Sequence, residues 1–214
     1  PLFWLTIFGY LFERQFAFES DISYLSYLLP GVCAMTVLQS SAQSGILFIK
    51  DFQSQFFGRY HFTPISSFSL LFFKIVADFI RIWIQVVILI LIGYLMGISS
   101  ISISITGILI ASLAAFLFTF FYASLSCFIA LKTKTPELMA TFVQLFNLPI
   151  IFTSTVLVPN KNLPPWLAKI AQYNPLSILG STLRQELTLY NEMGYSTPLS
   201  LGIIFSLALI SFTI

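Results

Sequence analysis

Charge is what this sequence has least of. Only 8% of its 214 residues are Asp, Glu, Lys or Arg, against about 25% in soluble domains. A water-soluble chain of this length must cover its surface with polar groups, and too few are present. The net charge is +2 with no basic run, which excludes the electrostatic footprint of a nucleic-acid-binding protein. Cys33 and Cys127 both lie in apolar stretches, so no disulfide framework is indicated. His61 is the single histidine, and no Gly is followed by Lys. These two facts exclude a paired-His metal motif and a Walker phosphate loop. A Ser–His hydrolase acting inside a bilayer would need His61 at depth, yet it falls in a polar loop. Intrinsic catalysis and a metal centre are not expected.

Apolar residues, by contrast, make up 57% of the chain, with 24 Phe and a mean hydropathy of +0.93. A span takes about 20 such residues, so five or six spans with short connections fill the length. The whole chain, 1–214, reads as one all-α transmembrane domain. The spans are placed at 1–12, 24–49, 74–97, 105–131, 138–158 and 199–214, the third being the deep part of an apolar stretch that opens at Ser66. The sequence starts on Pro1, and 207–214 are still apolar, so the first and last spans are expected to be truncated. Lysine and arginine bias gives the sidedness. Lys50, Arg59, Lys132 and Lys134 gather in one set of loops. Arg14, Lys161, Lys169 and Arg184 are spread through the other set, among Glu13, Glu19, Asp21, Glu186 and Glu192. Segment 50–64 and the 132–137 loop are thus expected on the inner side, and 159–197 on the outer.

Three features carry possible chemistry. In the third span Lys74, Asp78, Arg81 and Gln85 recur at spacings of four, three and four, which places them on one helical stripe. Ionisable groups at membrane depth face protein or an aqueous cavity, because lipid exposure costs about 2.5–3.5 kcal/mol each. The stripe reads either as a substrate- or coupling-relevant surface, or as local Lys74–Asp78–Arg81 pairing with snorkelling toward the inner edge. Segment 50–64 mixes charges with Phe52, Phe56, Phe57, Tyr60 and Phe62. Asp51 suits a helix start and Thr63-Pro64 a stop. Such a segment suits an interfacial aromatic belt or an anchor for a soluble partner. In the outer segment, Pro164-Pro165-Trp166 opens a short helix and Asn174-Pro175 ends it. A second apolar helix follows, carrying Arg184 and Glu186, and both helices are expected to be interfacial or re-entrant. Asn147 and Pro149 in the fifth span point to a cross-helix hydrogen bond and a kink.

Several of these pieces, taken in order, resemble the ABC-2-type membrane subunits of ATP-binding-cassette exporters. The matching residues are Pro1-Leu2-Phe3-Trp4, Phe8-Gly9, Tyr27-Leu28-Leu29-Pro30-Gly31, Gly45, Asp51 and Thr63-Pro64-Ile65-Ser66. They continue with Pro149, Phe152, Ser154, Pro159, Leu163-Pro164, Trp166-Leu167, Tyr173-Asn174-Pro175-Leu176 and Arg184. The resemblance covers essentially the whole chain.

The resemblance implies a six-helix permease bundle with outer re-entrant helices and no nucleotide site of its own. ATP and Mg would be bound by a separate ATP-binding subunit. The permease would act as a homodimer or beside a similar permease, in contact with membrane lipid. Asp51, Phe52, Phe56, Phe57, Gly58, Arg59, Tyr60, Thr63 and Pro64 would belong to the coupling loop that docks on the ATPase. Phe52 and Gln53 stand where the family usually carries Arg and Glu, which makes that contact more apolar. Pro164, Trp166, Asn174, Pro175 and Arg184 would mark the re-entrant region over the exit. The Phe- and Ile-rich, Lys-poor usage suits an AT-rich genome, and with it a plastid membrane or a bacterial inner membrane. Two alternatives remain at this stage: a membrane-embedded assembly or biogenesis factor without its own transport activity, and an intramembrane enzyme.

Overall fold

Eight α-helices and one 3-10 turn, with no strand, make up the described residues of the computed structural model, which are 2–12, 24–53, 67–96, 98, 104–188 and 196–213. In chain order they are α1 (Leu2–Phe12), α2 (Tyr24–Gln53), α3 (Ser67–Leu95), α4 (Ile105–Thr133) and α5 (Pro136–Phe152). After the 3-10 turn at Asn160–Asn162 come α6 (Pro165–Tyr173), α7 (Pro175–Thr188) and α8 (Thr197–Thr213). Tyr24–Asp51, Phe72–Leu95 and Ile105–Thr133 are long and apolar enough to cross a membrane, while α1, α5 and α8 are apolar but shorter.

α2 is the axis of the bundle and packs against α1, α3, α4, α5 and α7. Tyr24, Leu28, Cys33, Ala34 and Leu38 point in different directions around it, yet each is buried. A helix apolar on every side is stable only when other helices surround it. α4 is its principal neighbour, and Ala111, Ala114, Ala115, Ala123 and Ala130 of α4 are all buried. Such small side chains let helix backbones approach closely where lipid supplies no hydrophobic drive. At Gly45 the approach is close: a Cβ there would lie 2.5 Å from the Ser126 carbonyl oxygen. The Ser126 hydroxyl in turn donates to the Ala42 carbonyl at 2.6 Å and accepts from the Gly45 N–H at 3.1 Å.

Local chemistry sets the helix ends. Ser104 caps α4 by accepting from the Gly107 N–H at 2.9 Å. Lys134, left-handed at φ 59°, closes it with its N–H on the Ala130 carbonyl. α5 begins with Pro136 at its first turn and ends at Phe152, short of the expected limit of 158. Beyond Phe152 the Ser154 N–H turns back to the Ile151 carbonyl at 3.2 Å. This leaves the Ile150 carbonyl to Asn174, whose Nδ2 donates to it at 2.8 Å. The Asn174 Oδ1 accepts from the Leu176 N–H at 2.9 Å, so one side chain closes α5 and caps α7.

The outer surface is what places the bundle in lipid. Along α3, Phe73, Ile80, Ile84, Ile88, Leu91 and Leu95 are each at least half exposed, while Ile75, Ile82, Val86 and Leu89 are buried. A continuous exposed apolar face of this extent is not tolerated in water.

Candidate functional site

The polar residues of α3 meet a matching row on α2. From the α2 C-terminus inward, the Lys74 Nζ donates to the Asp51 Oδ2 at 2.8 Å. The Ser44 hydroxyl donates to the Asp78 Oδ2, and Arg81 pairs with the Asp78 Oδ1 at 3.1 Å. The Ser40 hydroxyl donates to the Gln85 Oε1 at 3.1 Å. Ser40, Ser44 and Asp51 share one side of α2 as the four α3 residues share theirs, since residues four and seven apart recur on one helix face. Antiparallel packing turns the two rows into a ladder.

This pairing differs from the local Lys74–Asp78–Arg81 cluster that helical spacing suggests. Lys74 leaves its own helix for Asp51, and Asp78 keeps Arg81 while gaining a hydroxyl from α2. Asp78 is only 7% exposed, and a buried carboxylate retains its charge only when paired and hydrogen-bonded. The Arg81 side chain is 43% exposed, so the charge faces outward along its stem while its carboxylate partner stays inside.

Asp51 also sits at the root of the inner segment, in the last turn of α2. Two residues on, the Gln53 Nε2 donates to the Lys134 carbonyl at 3.3 Å, in the turn between α4 and α5. The end of α2 is thereby tied to α3 and to the α4–α5 turn. The backbone of Phe52 belongs to α2, whereas Phe56, Phe57, Gly58, Arg59, Tyr60, Thr63 and Pro64 lie outside the described residues.

At the opposite end of the bundle α6 and α7 differ sharply. Trp166 and Tyr173 on α6 are 65% and 85% exposed, with Pro164 preceding them as the N-terminal cap residue. α7 instead enters the bundle between α2 and α4, with Leu176, Leu179, Leu183 and Arg184 buried. Arg184 is fully buried. Its Nε donates to the Tyr27 carbonyl at 3.1 Å, and its Nη2 to the Thr155 and Val156 carbonyls at 2.9 Å each. The guanidinium carbon stands 3.7 Å from the centre of the Tyr27 ring, a cation–π distance.

Two tyrosines hold the same turn. The Tyr27 hydroxyl donates to the Thr155 carbonyl at 2.6 Å and the Tyr24 hydroxyl to the Leu157 carbonyl at 2.8 Å. Residues 153–158 have left the helix, so their carbonyls have no helical donors and need these. Gly31 makes room: a Cβ there would lie 2.4 Å from the Val156 carbonyl oxygen and 3.0 Å from the Arg184 Nη2. Sequence reasoning singled out Arg184, Asn174 and Pro175, but neither Tyr24 nor Tyr27 as a site residue. Their spacing of three, just before Pro30-Gly31, was the available signal. Asn147 does bond across helices as its position suggested, accepting from the Tyr122 hydroxyl at 2.8 Å.

Against this geometry stand the similarities to known proteins. A family model described as ABC-2 type transporter matches residues 1–187. Proteins named as transport permease ycf38 are similar: that of Cyanophora paradoxa is 30% identical over 180 residues, or 83% of this chain and 61% of the relative. That of Porphyra purpurea is 34% identical over 183 residues, with the same shares. The daunorubicin resistance ABC transporter permease protein DrrB1 of Streptomyces coeruleorubidus is 25% identical over 185 residues, covering 86% of this chain and 65% of its own. The chain thus spans somewhat under two thirds of the length of these relatives.

Proposed function

The chain belongs to the ABC-2 type transporter family, and on that footing we propose that it is the membrane-spanning permease subunit of an ABC exporter. It lines the translocation pathway, runs several times through a plastid membrane or a bacterial inner membrane, and acts as a homodimer or beside a similar permease. ATP and Mg are bound by a separate ATP-binding subunit, and this chain performs no bond chemistry. The observation that carries the reading is the family match over residues 1–187. The lipid-facing surface of α3 supports it. The relatives named as transport permeases do so too.

In mechanical terms the ATP-binding subunit grips segment 50–64 and closes on ATP. A ligand drives a conformational shift only through contacts that differ between the two states, and here the partner supplies them. Movement of the segment reaches the bundle through the end of α2. The Asp51–Lys74 pair carries it to α3, and the Gln53–Lys134 bond to the α4–α5 turn. The helices then rearrange to open a route toward the end bearing α6.

Co-purification with an ABC ATP-binding subunit, followed by ATPase measurement, tests the reading. Stimulation by the intact chain and its loss when 54–64 is scrambled is the expected result. No ATP-binding subunit in the purified complex, or ATPase activity indifferent to the scrambling, would favour a biogenesis factor instead.

A further inference from the structure

A third feature lies apart from the ladder and the Arg184 clasp. Between α4 and α5 runs a slot of about 380 Å³, floored by Ala42 of α2 and walled by Leu125, Ile129, Phe142, Val143 and Phe146. That volume falls in the range of about 300–1,000 Å³ typical of small-ligand sites. On α5 the lining runs from Met139 to Ile150, a length of about 16 Å at the helical rise. The slot is therefore long, apolar and parallel to the helix axes.

Three lining residues are polar, Tyr122, Ser126 and Asn147, and the hydroxyls of the first two donate to the Asn147 Oδ1 and the Ala42 carbonyl. Asn147 is 6% exposed, and its Oδ1 is taken by the Tyr122 hydroxyl. Its amide nitrogen has no hydrogen-bond partner among the described residues. The slot is where an acceptor for it can lie, because Asn147 is one of the lining residues. It stands five residues before the end of α5, about 7 Å below that end. A glycerolipid chain lying along the slot places its ester carbonyl near the membrane surface and its hydrocarbon deeper. That is the order in which the slot offers Asn147 and then Phe142, Val143 and Met139.

From these features the geometry points to a binding site for one acyl chain of a glycerolipid, with Asn147 donating to its ester carbonyl and the chain running between α4 and α5 toward Met139. A second copy of the protein is the competing occupant. Leu138, Leu145, Leu148 and Phe152 of α5 are exposed on the opposite side of the helix from the slot, given the helical period, but Phe142 and Phe146 of the slot wall are exposed as well. A partner packed on the first four leaves the slot open to lipid, whereas one packed on the two phenylalanines covers it. The site goes beyond the transport reading and does not depend on it: its failure would leave the permease assignment intact.

The test uses the full chain in phosphatidylcholine nanodiscs containing a trace of the same lipid with a diazirine on one acyl chain. After illumination, peptides covering 121–129 and 139–150 are expected to carry more label than the plain lipid face of α3 around Ile84 and Ile88. Val143→Trp fills the slot and is expected to bring the labelling down to the α3 level. Asn147→Leu is expected to reduce the excess about fivefold, the worth of one hydrogen bond. Should Val143→Trp fail to fold, Leu125→Phe narrows the slot from α4 and carries the same expectation. Slot labelling no higher than on α3, or unchanged when the slot is filled in a folded variant, overturns the site. So does efficient disulfide cross-linking of Phe142→Cys, but not Leu145→Cys, between two copies, because a second copy would then cover the slot.

Discussion

Arg184 grips Tyr27 twice, through its backbone carbonyl at 3.1 Å and across the face of its ring at 3.7 Å. The same guanidinium reaches two carbonyls of the turn after α5. One side chain from α7 therefore joins the axial helix to the chain reversal at the end opposite the lysine-rich loops. Arg184 and Tyr27 are 157 residues apart, so this contact ties the late part of the chain to the start of α2.

Arg184→Met removes three donated hydrogen bonds; the Thr155 carbonyl keeps the Tyr27 hydroxyl, but the Val156 carbonyl loses its donor, at about 1–3 kcal/mol for that group beside the lost cation–π contact. A loss of at least about 2 kcal/mol is expected, roughly 4–8 °C in Tm for a chain of this size. Arg184→Lys should recover only part of it, since one ammonium cannot copy the planar fork that reaches three carbonyls. Thermal unfolding of the purified protein in detergent measures both. Equal Tm values for wild type and Met variant would show that the clasp contributes nothing.

Gly31→Ala forces a methyl to within 2.4 Å of the Val156 carbonyl oxygen. Overpacking of this kind costs about 1–3 kcal/mol. Gly202→Ala is the control, because a Cβ there meets nothing within 4 Å and alanine gains about 1 kcal/mol of helix propensity. Opposite signs are expected from the same unfolding measurement. A shared sign would count against the close approach of α2 to the turn.

Asp78→Leu should reduce folded yield more than Lys74→Leu. The aspartate is buried between Ser44 and Arg81, and its loss leaves the buried Ser44 hydroxyl without its acceptor, at about 1–3 kcal/mol, beside the loss of the Arg81 pair. The partner of Lys74 is Asp51, whose side chain is 45% exposed, so that pair is worth about 1 kcal/mol or less. Fluorescence-detected size exclusion of the two variants ranks them, and equal profiles would contradict the burial of Asp78.

Asn174→Asp keeps the oxygen that caps α7 but loses the Nδ2 donor to Ile150. Asn174→Ala loses both. The alanine variant is expected to be destabilised by about 2 kcal/mol and the aspartate variant by about half of that. Chemical denaturation distinguishes them, and an aspartate variant as unstable as alanine would place all the effect at the α5 end.

Cysteines introduced at Gln55 and Lys161 should react with an impermeant maleimide from opposite faces of the membrane. Labelling from one face would overturn the sidedness on which the coupling reading depends.

Composition alone settled the solvent of this protein: with so few charges, its long helices have to face lipid. Periodicity located the stripe of Lys74, Asp78, Arg81 and Gln85, because a helix puts such positions together whatever surrounds it. Asn147 could be marked as a cross-helix donor or acceptor for a different reason: it is an amide inside an apolar span, where its partner comes from another helix. Neither composition nor periodicity named the partners. The charge that Lys74 meets is Asp51, 23 residues away on another helix, and local spacing favoured Asp78 instead. α7, short and carrying Arg184 and Glu186, was expected to be interfacial or re-entrant, and the sequence did not say which of its residues would be buried; Leu176, Leu179, Leu183 and Arg184 are. The carbonyls that make burial of Arg184 tolerable come from Tyr27, Thr155 and Val156, backbone groups that no side-chain pattern advertises. Local physics selects helices, faces and ends, but the balance between desolvating a charge and satisfying it depends on atoms that only packing brings within reach.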